Sequence, residues 1–362
     1  MAVPSPVDHA GLAVMCRCWL PGEAIHLTPV AGSGFSGSPV FSVESRRGRH
    51  ILKAFPPQTS WPRARWVHGL MHHLAAAGIE TVAPPLATAS GETLASDGEG
   101  RLWELLPFLD GTPAADPTDE QVTAAMAALA RLHATASRYP ACLPDRGPSA
   151  GIVRRIDQAR RMLEEPWSRL PSLQAAERPL AGDVASRVPE AAAAVEAAGG
   201  RRVLTALASA TPRPLSRQAV LRDIWSDHVL FDLPGKTRVA GILDFHAADR
   251  DTPATDFARL LGSWLPPATE TAAARWRNAL ADADANLSEP SSLAQVRFLA
   301  ASGVVFGLDN WFRWIVGEGR QFPGPTAVLA RVDRLLRLLP GAFEAMAETL
   351  ENPGLTLKNC SL

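Results

Sequence analysis

The feature that most constrains this chain is a change of character at Asp110-Gly111. Before that point, runs of β-type residues and turns surround a single helical stretch. After it come amphipathic helices and Pro-rich connections, interrupted by one block, 220–243, in which strand-type residues return. Such a pattern predicts an α+β fold in two lobes: a small β-rich N-terminal lobe over 1–106 and a large, mainly helical C-terminal lobe over 107–362, with one crossing near 105–111. At 362 residues the chain is also long for a single core, since cores seldom grow beyond about 250–300 residues.

Within the first lobe, IHLTPVAGSGFSGSPVFSVES (25–45) places β-type residues on both sides of a Gly/Ser cluster, and RHILKAF (49–55) is a short apolar strand carrying Lys53. Trp61 to Ala77 repeats apolar residues at Val67, Leu70, Met71 and Leu74, a helical spacing closed by Gly78. GETLAS and RLWELLPFL (101–109) predict a hairpin with DGEG at its tip. Beyond the crossing, Thr118-Asp119-Glu120-Gln121 is a capping box, and the helix after it aligns Val122, Met126, Leu129 and His133 on one stripe. Ala-rich helices continue to about residue 210, and no repeat of fixed period occurs.

Four features carry chemistry, and their order matters more than any one of them. In Gly32-Ser33-Gly34-Phe35-Ser36-Gly37-Ser38, glycines let backbone N–H groups approach a polyphosphate without Cβ interference, and hydroxyls add donors. A plain hairpin turn has the same composition. Lys53 sits among Ile51, Leu52, Ala54 and Phe55, where an ammonium either meets an anion or snorkels to the surface. A glycine loop followed by a strand lysine is the order in which protein-kinase-like phosphotransferases hold ATP phosphates. Asp223 in LRDIWSDHVLFD (221–232) and Asp244 in GILDFHAADRD (241–251) then offer the two carboxylates that phosphoryl transfer needs. One reaches the acceptor hydroxyl, and the other holds the Mg²⁺ that bridges the phosphates.

Composition removes other classes. Lys plus Arg is 36 and Asp plus Glu is 37, so nothing draws the whole surface to nucleic acid or to an anionic membrane, and any anion must be held locally. Cys16, Cys18, Cys142 and Cys360 are too scattered for a disulfide framework, and Cys16-x-Cys18 lacks a second pair for zinc, which fits a reducing, cytoplasmic setting. The N-terminus lacks the pattern of a signal peptide. The most apolar region, 298–316, is broken by Asp309, Asn310 and Arg313, so no membrane span is expected. The expected partner is a small-molecule acceptor, with no sequence signal for an oligomeric state.

Taken together, these stretches resemble the aminoglycoside phosphotransferase and choline kinase-like families, which share a bilobal protein-kinase-like fold; the resemblance covers roughly 25–265. GSGFSGS is similar to the family's nucleotide-binding loop, which implies phosphate contacts at Gly32, Ser33, Gly34, Phe35, Ser36 and Gly37, and ILK carries its phosphate-binding lysine, Lys53. WELLPFLDG (103–111) is similar to the hinge, where the backbone of Glu104 to Leu106 would meet the adenine. ALARLHA (128–134) matches the Leu-His helix, and LRDIWSDHVLF the catalytic loop written H-G-D-x-x-x-x-N. ILDFHAADRDTPATDFARL matches the metal aspartate, Asp244, and a later supporting aspartate, Asp256. Trp225-Ser226 is similar to the fructosamine kinase version of the loop. The resemblance implies an ATP- and Mg²⁺-dependent kinase acting on a small-molecule hydroxyl, with Asp223 as the catalytic carboxylate. A catalytically silent nucleotide-binding scaffold and an adenylyl transferase use the same groups and remain alternatives; retention of Asp223 favours the enzyme.

Three departures from the family pattern matter. Leu221 and Arg222 replace His-Gly, the helix from Trp61 has no glutamate for Lys53, leaving His68 or a phosphate to pair with it, and His228 stands where an asparagine binds a second metal. Imidazole suits Mn²⁺ better than Mg²⁺, so one strongly held Mg²⁺ at Asp244, a weak or absent second site and better activity with Mn²⁺ than the family pattern would give are expected, with His228 either binding Mn²⁺ or donating a hydrogen bond to a phosphate oxygen. His133 is expected to support the catalytic loop, His246 to pack near the phosphates, and Trp311 and Trp314 to be core or cleft wall. Arg154, Arg155, Arg160 and Arg161 read as a solvated helix face, with recognition of an anionic acceptor as the alternative. The acceptor would be bound mainly by 112–215 and 265–340, where the lack of a strongly acidic cluster argues against a polycationic aminoglycoside.

Overall fold

A computed structural model describes residues 9–30, 38–170, 179–232, 237–265, 270–283, 290–322, 324–351 and 357–358. Helix α1 (His9–Cys16) leads into β1 (His26–Pro29), β2 (Val40–Ser45) and β3 (Gly48–Ala54), followed by α2 (Trp61–Ala76), β4 (Ala95–Ser96) and β5 (Leu102–Pro107). The strands form one antiparallel sheet in the order β1-β2-β3-β5-β4. Alternation sets its inner face: Phe41 and Val43 of β2, Leu52 and Ala54 of β3, and Trp103 and Leu105 of β5 pack with Leu12, Cys16, Trp19 and Leu20.

Ser60 caps α2 by accepting from the Arg63 N–H, and Pro62 suits the first turn. Its apolar stripe, Val67, Leu70, Met71 and Leu74, is buried, as the spacing predicts, but in the core of the larger lobe. That helix therefore ties the two parts together.

Past Pro107 the chain crosses over. Gly111 has φ 152°, and a Cβ there would lie 2.8 Å from the Phe231 carbonyl oxygen, so only glycine lets the crossing lie flat on the strand beneath. The short β6 (Thr112–Pro113) pairs with that strand. The remainder runs α3 (Asp119–Ala136), β7 (Asp145–Gly147), α4 (Ala150–Glu164), α5 (Pro179–Ala185), α6 (Val188–Ala197), α7 (Gly200–Ala208), β8 (Thr211–Pro212), β9 (Leu215–Val220), β10 (Val229–Phe231), β11 (Val239–Ile242) and β12 (Asp249–Asp251). Helices α8 (Ala254–Trp264), α9 (Glu270–Ala283), α10 (Pro290–Phe312) and α11 (Pro325–Leu350), with β13 (Leu357–Lys358), complete it. Thr118 and Gln121 form the capping box of α3, and Val122, Met126, Leu129 and His133 are all buried.

Two small sheets, β11-β10-β6 and β12-β9-β7, sit among the helices. Asp309, fully buried, accepts from Trp167 Nε1 (2.9 Å), Arg161 Nη2 (2.6 Å) and Arg313 Nε (2.9 Å), so the polar breaks in 298–316 are internal ties between α4 and α10. Trp311, Trp314 and Phe322 form an aromatic cluster. Among the described residues, no helix is long and apolar enough to cross a membrane.

Candidate active site

The β10–β11 hairpin brings the two aspartates to one end of one element. Val229 pairs with Ile242, and the Leu243 N–H donates to the His228 carbonyl at 2.8 Å, so the loop before β10, with Asp223, and the segment just after β11, with Asp244, emerge side by side. From the other lobe, Lys53 on β3 reaches Asp244: Nζ donates to Oδ1 at 2.7 Å. Burial pushes the Asp244 carboxyl up, but Lys53, His246 and His228 outweigh it and hold the group at about 2. Asp244 stays ionised in an enclosed site. The glycine-loop positions Gly32, Ser33, Gly34, Phe35, Ser36 and Gly37 lie outside the described residues.

His68 does not take the place of the absent glutamate. Its Nε2 lies 2.8 Å from Glu104 Oε2 and its Nδ1 2.7 Å from Thr93 Oγ1, while Lys53 goes to Asp244 instead. The other Glu104 oxygen meets His246 Nε2 at 2.7 Å, and the His246 ring stacks on Phe55 at 4.0 Å. Burial raises the Glu104 carboxyl, yet the two imidazoles outweigh it and hold it below the usual carboxylate range. Arg63 of α2 donates to the carbonyls of His246 (3.2 Å) and Ala248. The helix is thus fastened to the segment after Asp244 through His68–Glu104–His246 and through Arg63. The only trace of this linkage in the sequence is Glu104 inside the apolar run Trp103 to Phe108.

The adenine contact expected at Glu104 and Leu106 needs correction. The Leu105 carbonyl turns away from β3 to accept from Leu86 N–H, and Phe108 N–H donates to Arg49, so the alternation of the ladder turns the Glu104 and Leu106 backbone groups towards β3. Only Leu105 of that stretch turns its backbone to the other edge, where Leu86 already occupies its carbonyl; by the same alternation Pro107 is the next residue to turn that way, and the ladder ends with the Phe108–Arg49 bond.

Asp256, at the start of α8, anchors the loop that carries Asp223. It is fully buried and accepts from His133 Nε2 (2.9 Å), Leu221 N–H (2.7 Å) and Arg222 N–H (2.7 Å). His133 is therefore bonded to Asp256 rather than to Asp223. Arg222 and Asp244 both have positive φ, 66° and 61°. Non-glycine residues rarely adopt it, and such strain persists where surrounding bonds over-determine it. At Arg222 the Asp256 bond supplies this, with an ion pair from Nη1 to Asp249 at 3.1 Å.

Asp223 is held through one oxygen. Trp225 Nε1 donates to Oδ1 at 2.9 Å and Arg259 Nη2 donates to the same atom, which leaves Oδ2 without a partner among the described residues. His228 Nδ1 donates to the Asp223 carbonyl at 3.0 Å, so in the tautomer this bond selects the lone pair is on Nε2. The helix face on α4 is not uniformly solvated. Arg155 is buried and donates to Ser302 Oγ, Gly151 O and Leu299 O, and Arg161 binds Asp309, while Arg154 and Arg160 are exposed.

Comparison with known proteins follows from this geometry. Residues 26–296, well over half of the chain, match the profile of the APH phosphotransferase enzyme family. A homoserine kinase of Methylorubrum populi is 27% identical over 318 residues, covering 87% of this chain and 89% of that protein. A homoserine kinase of Beijerinckia indica is 28% identical over 265 residues, 73% of this chain and 72% of the other. Among solved structures, spectinomycin phosphotransferase in complex with ADP and spectinomycin superposes with a TM-score of 0.63 at 10% identity, over 94% of this chain and all of that one. A microcompartment-associated aminopropanol kinase gives 0.56 at 14% identity, over 97% and 99%. These structures share the bilobal kinase-like fold.

Proposed function

This chain belongs to the phosphotransferase enzyme family and is a small-molecule kinase, and on that premise we propose that it moves the terminal phosphoryl group of ATP, in the presence of a divalent cation, to a hydroxyl of a small metabolite. The convergence of Lys53, Asp244 and Asp223 from two lobes carries this reading. In it, Lys53 balances charge on the phosphates. Asp223, through the free Oδ2, accepts or orients the proton of the attacking hydroxyl as the new O–P bond forms and ADP leaves. The adenine lies against the backbone from Pro107 onwards. The N-terminal lobe, 1–106, is the nucleotide side, and 107–362 supplies the acceptor site.

The residues fit a divalent cation. Asp244 offers an ionised oxygen held low by its neighbours, and the lone pair of His228 Nε2 is free because Nδ1 is engaged by a carbonyl. Bound there, Mg²⁺ or Mn²⁺ would neutralise charge on the phosphates.

Likeness to homoserine kinases supports a small hydroxylated metabolite, and homoserine is the first acceptor to try. The test incubates the protein with ATP, Mg²⁺ and either homoserine or a pooled metabolite extract, and follows products by mass spectrometry. Gain of a phosphoryl group, lost in Asp223→Ala, is expected. Gain of an adenylyl group, or no nucleotide-dependent stabilisation of the fold, would refute the proposal.

A further inference from the structure

Around Asp223 the protein assembles more positive charge than its own carboxylates satisfy. Arg259 of α8 holds Asp223 Oδ1, and its guanidinium lies 4.8 Å from the centre of the Trp225 ring. Arg331 of α11 approaches the same ring at 4.3 Å. Arg331 has no hydrogen bond or ion pair among the described residues, and Arg259 Nε is buried without a partner. Burial, then Arg334 and Arg259, push the Arg331 guanidinium down to about 10 against the pull of Asp227 and Asp223. Arg154 of α4, exposed nearby, also lacks a carboxylate partner among the described residues, and Arg222 and Arg259 add like charge beside it.

The nearby acids answer this charge only in part, since Asp227 and Asp223 pull on Arg331 without bonding to it. Asp223 is taken by Arg259 and Trp225, Asp249 by Arg222, and Asp251 is buried against the N–H groups of Gly151 and Thr252. Asp227 is exposed. Holding partly buried guanidinium groups beside one another is unfavourable unless an anion joins them. Planar N–H forks backed by an indole suit carboxylate and phosphate oxygens, and they repel an ammonium.

We infer that the acceptor carries, besides its reacting hydroxyl, an anionic carboxylate or phosphate group bound by Arg331 and Arg259 against Trp225. This rests on the phosphotransfer reading of Asp223. Because Arg259 also holds that carboxylate, the anion and the hydroxyl lie only a few bonds apart in the acceptor. Anionic hydroxylated metabolites are selected, and a polycationic aminoglycoside is excluded by like charge.

The test uses the full chain saturated with a non-hydrolysable ATP analogue and Mg²⁺, so that the phosphate-binding groups of the nucleotide site are filled. Hydroxybutyrate, homoserine and aminopropanol share one hydroxyl-bearing frame and differ in charge; glycerol phosphate and glycerol form a second pair. Calorimetric titration should give binding of the anions at least about tenfold tighter than of aminopropanol or glycerol. The order of hydroxybutyrate and glycerol phosphate identifies the anion as carboxylate or phosphate. Arg331→Gln should weaken the anions by about 10–100-fold, the scale of one charged hydrogen-bonding partner, with nucleotide-induced stabilisation unchanged as proof of folding. Arg331→Lys, which keeps charge without the fork, should recover only part. Aminopropanol or glycerol binding as tightly as the anions, no binding of either anion, or an unaffected Arg331→Gln variant overturns the inference. Failure of the analogue itself to bind would instead sink the kinase reading, and the same titrations without it still report on the arginines.

Discussion

Replacing Asp256 by asparagine keeps the shape of the side chain and removes one acceptor. Oδ2 of the carboxylate receives His133 Nε2 and the Leu221 N–H, and Oδ1 receives the Arg222 N–H. An asparagine must put its NH₂ in one of these two places. On the Oδ2 side it meets Leu221 N–H, and on the Oδ1 side Arg222 N–H. His133 could turn a lone pair towards it by moving its proton to Nδ1, but that atom is buried without a partner, and the Leu221 conflict would remain. Either orientation leaves one buried backbone donor unpaired, at about 1–3 kcal/mol, and the surviving bond loses about 1 kcal/mol of charge assistance. The expected loss is therefore about 2–4 kcal/mol, read as a lower urea midpoint at unchanged slope. Arg222 is held at φ 66°, a conformation costing a non-glycine residue about 1–2 kcal/mol, and once released it can relax and carry Asp223 with it. Turnover should fall by about 10²-fold, the scale of a misplacement of about 1 Å, with nucleotide affinity retained. An Asp256→Asn protein within about 0.5 kcal/mol of the original, turning over at the same rate, would refute the account of the loop.

Three further outcomes are expected. Glu104 and Asp244 are held below their ordinary values of 4.5 and 3.8, so they contribute stability above those values that is lost as pH falls through the lower folded pKa; Glu104→Gln should flatten the acid limb of urea midpoint against pH, and parallel limbs would count against the two-imidazole network. Lys53→Met removes the partner of Asp244 and should weaken nucleotide binding by about tenfold or more, measured as a reduced nucleotide-induced rise in Tm, with an unchanged rise as the contrary result. His228→Asn should improve Mg²⁺-supported turnover and lower the ratio of Mn²⁺ to Mg²⁺ rates, whereas an unaltered ratio would remove His228 from the metal site.

The groups proposed to carry the chemistry are legible because they stand in short, ordered stretches. Lys53 in an apolar strand, Asp223 after a strand and Asp244 at the end of the next are local patterns, and they retain their meaning in any chain that folds them together. The two-lobe division was visible in the change from period-two to helical spacing around Asp110-Gly111, and the stripes of α2 and α3 were read residue by residue. Short strands such as β7 and β12 left no signal, since three residues cannot display a period and their pairing with β9 is decided by distant chain.

Partners across long separations were likewise beyond the sequence. Which carboxylate Lys53 meets, why Glu104 tolerates burial between His68 and His246, and which arginine of α4 is internal all depend on how helices pack against the sheets. Arg259 and Arg331 are unremarkable surface-type residues in their own helices. Only the approach of α8 and α11 to Trp225 places both guanidinium groups on one ring beside Asp223, because charge acts through space and not along the chain. The sequence determined which groups were available and in what order; the packing of the two lobes decided which of them meet.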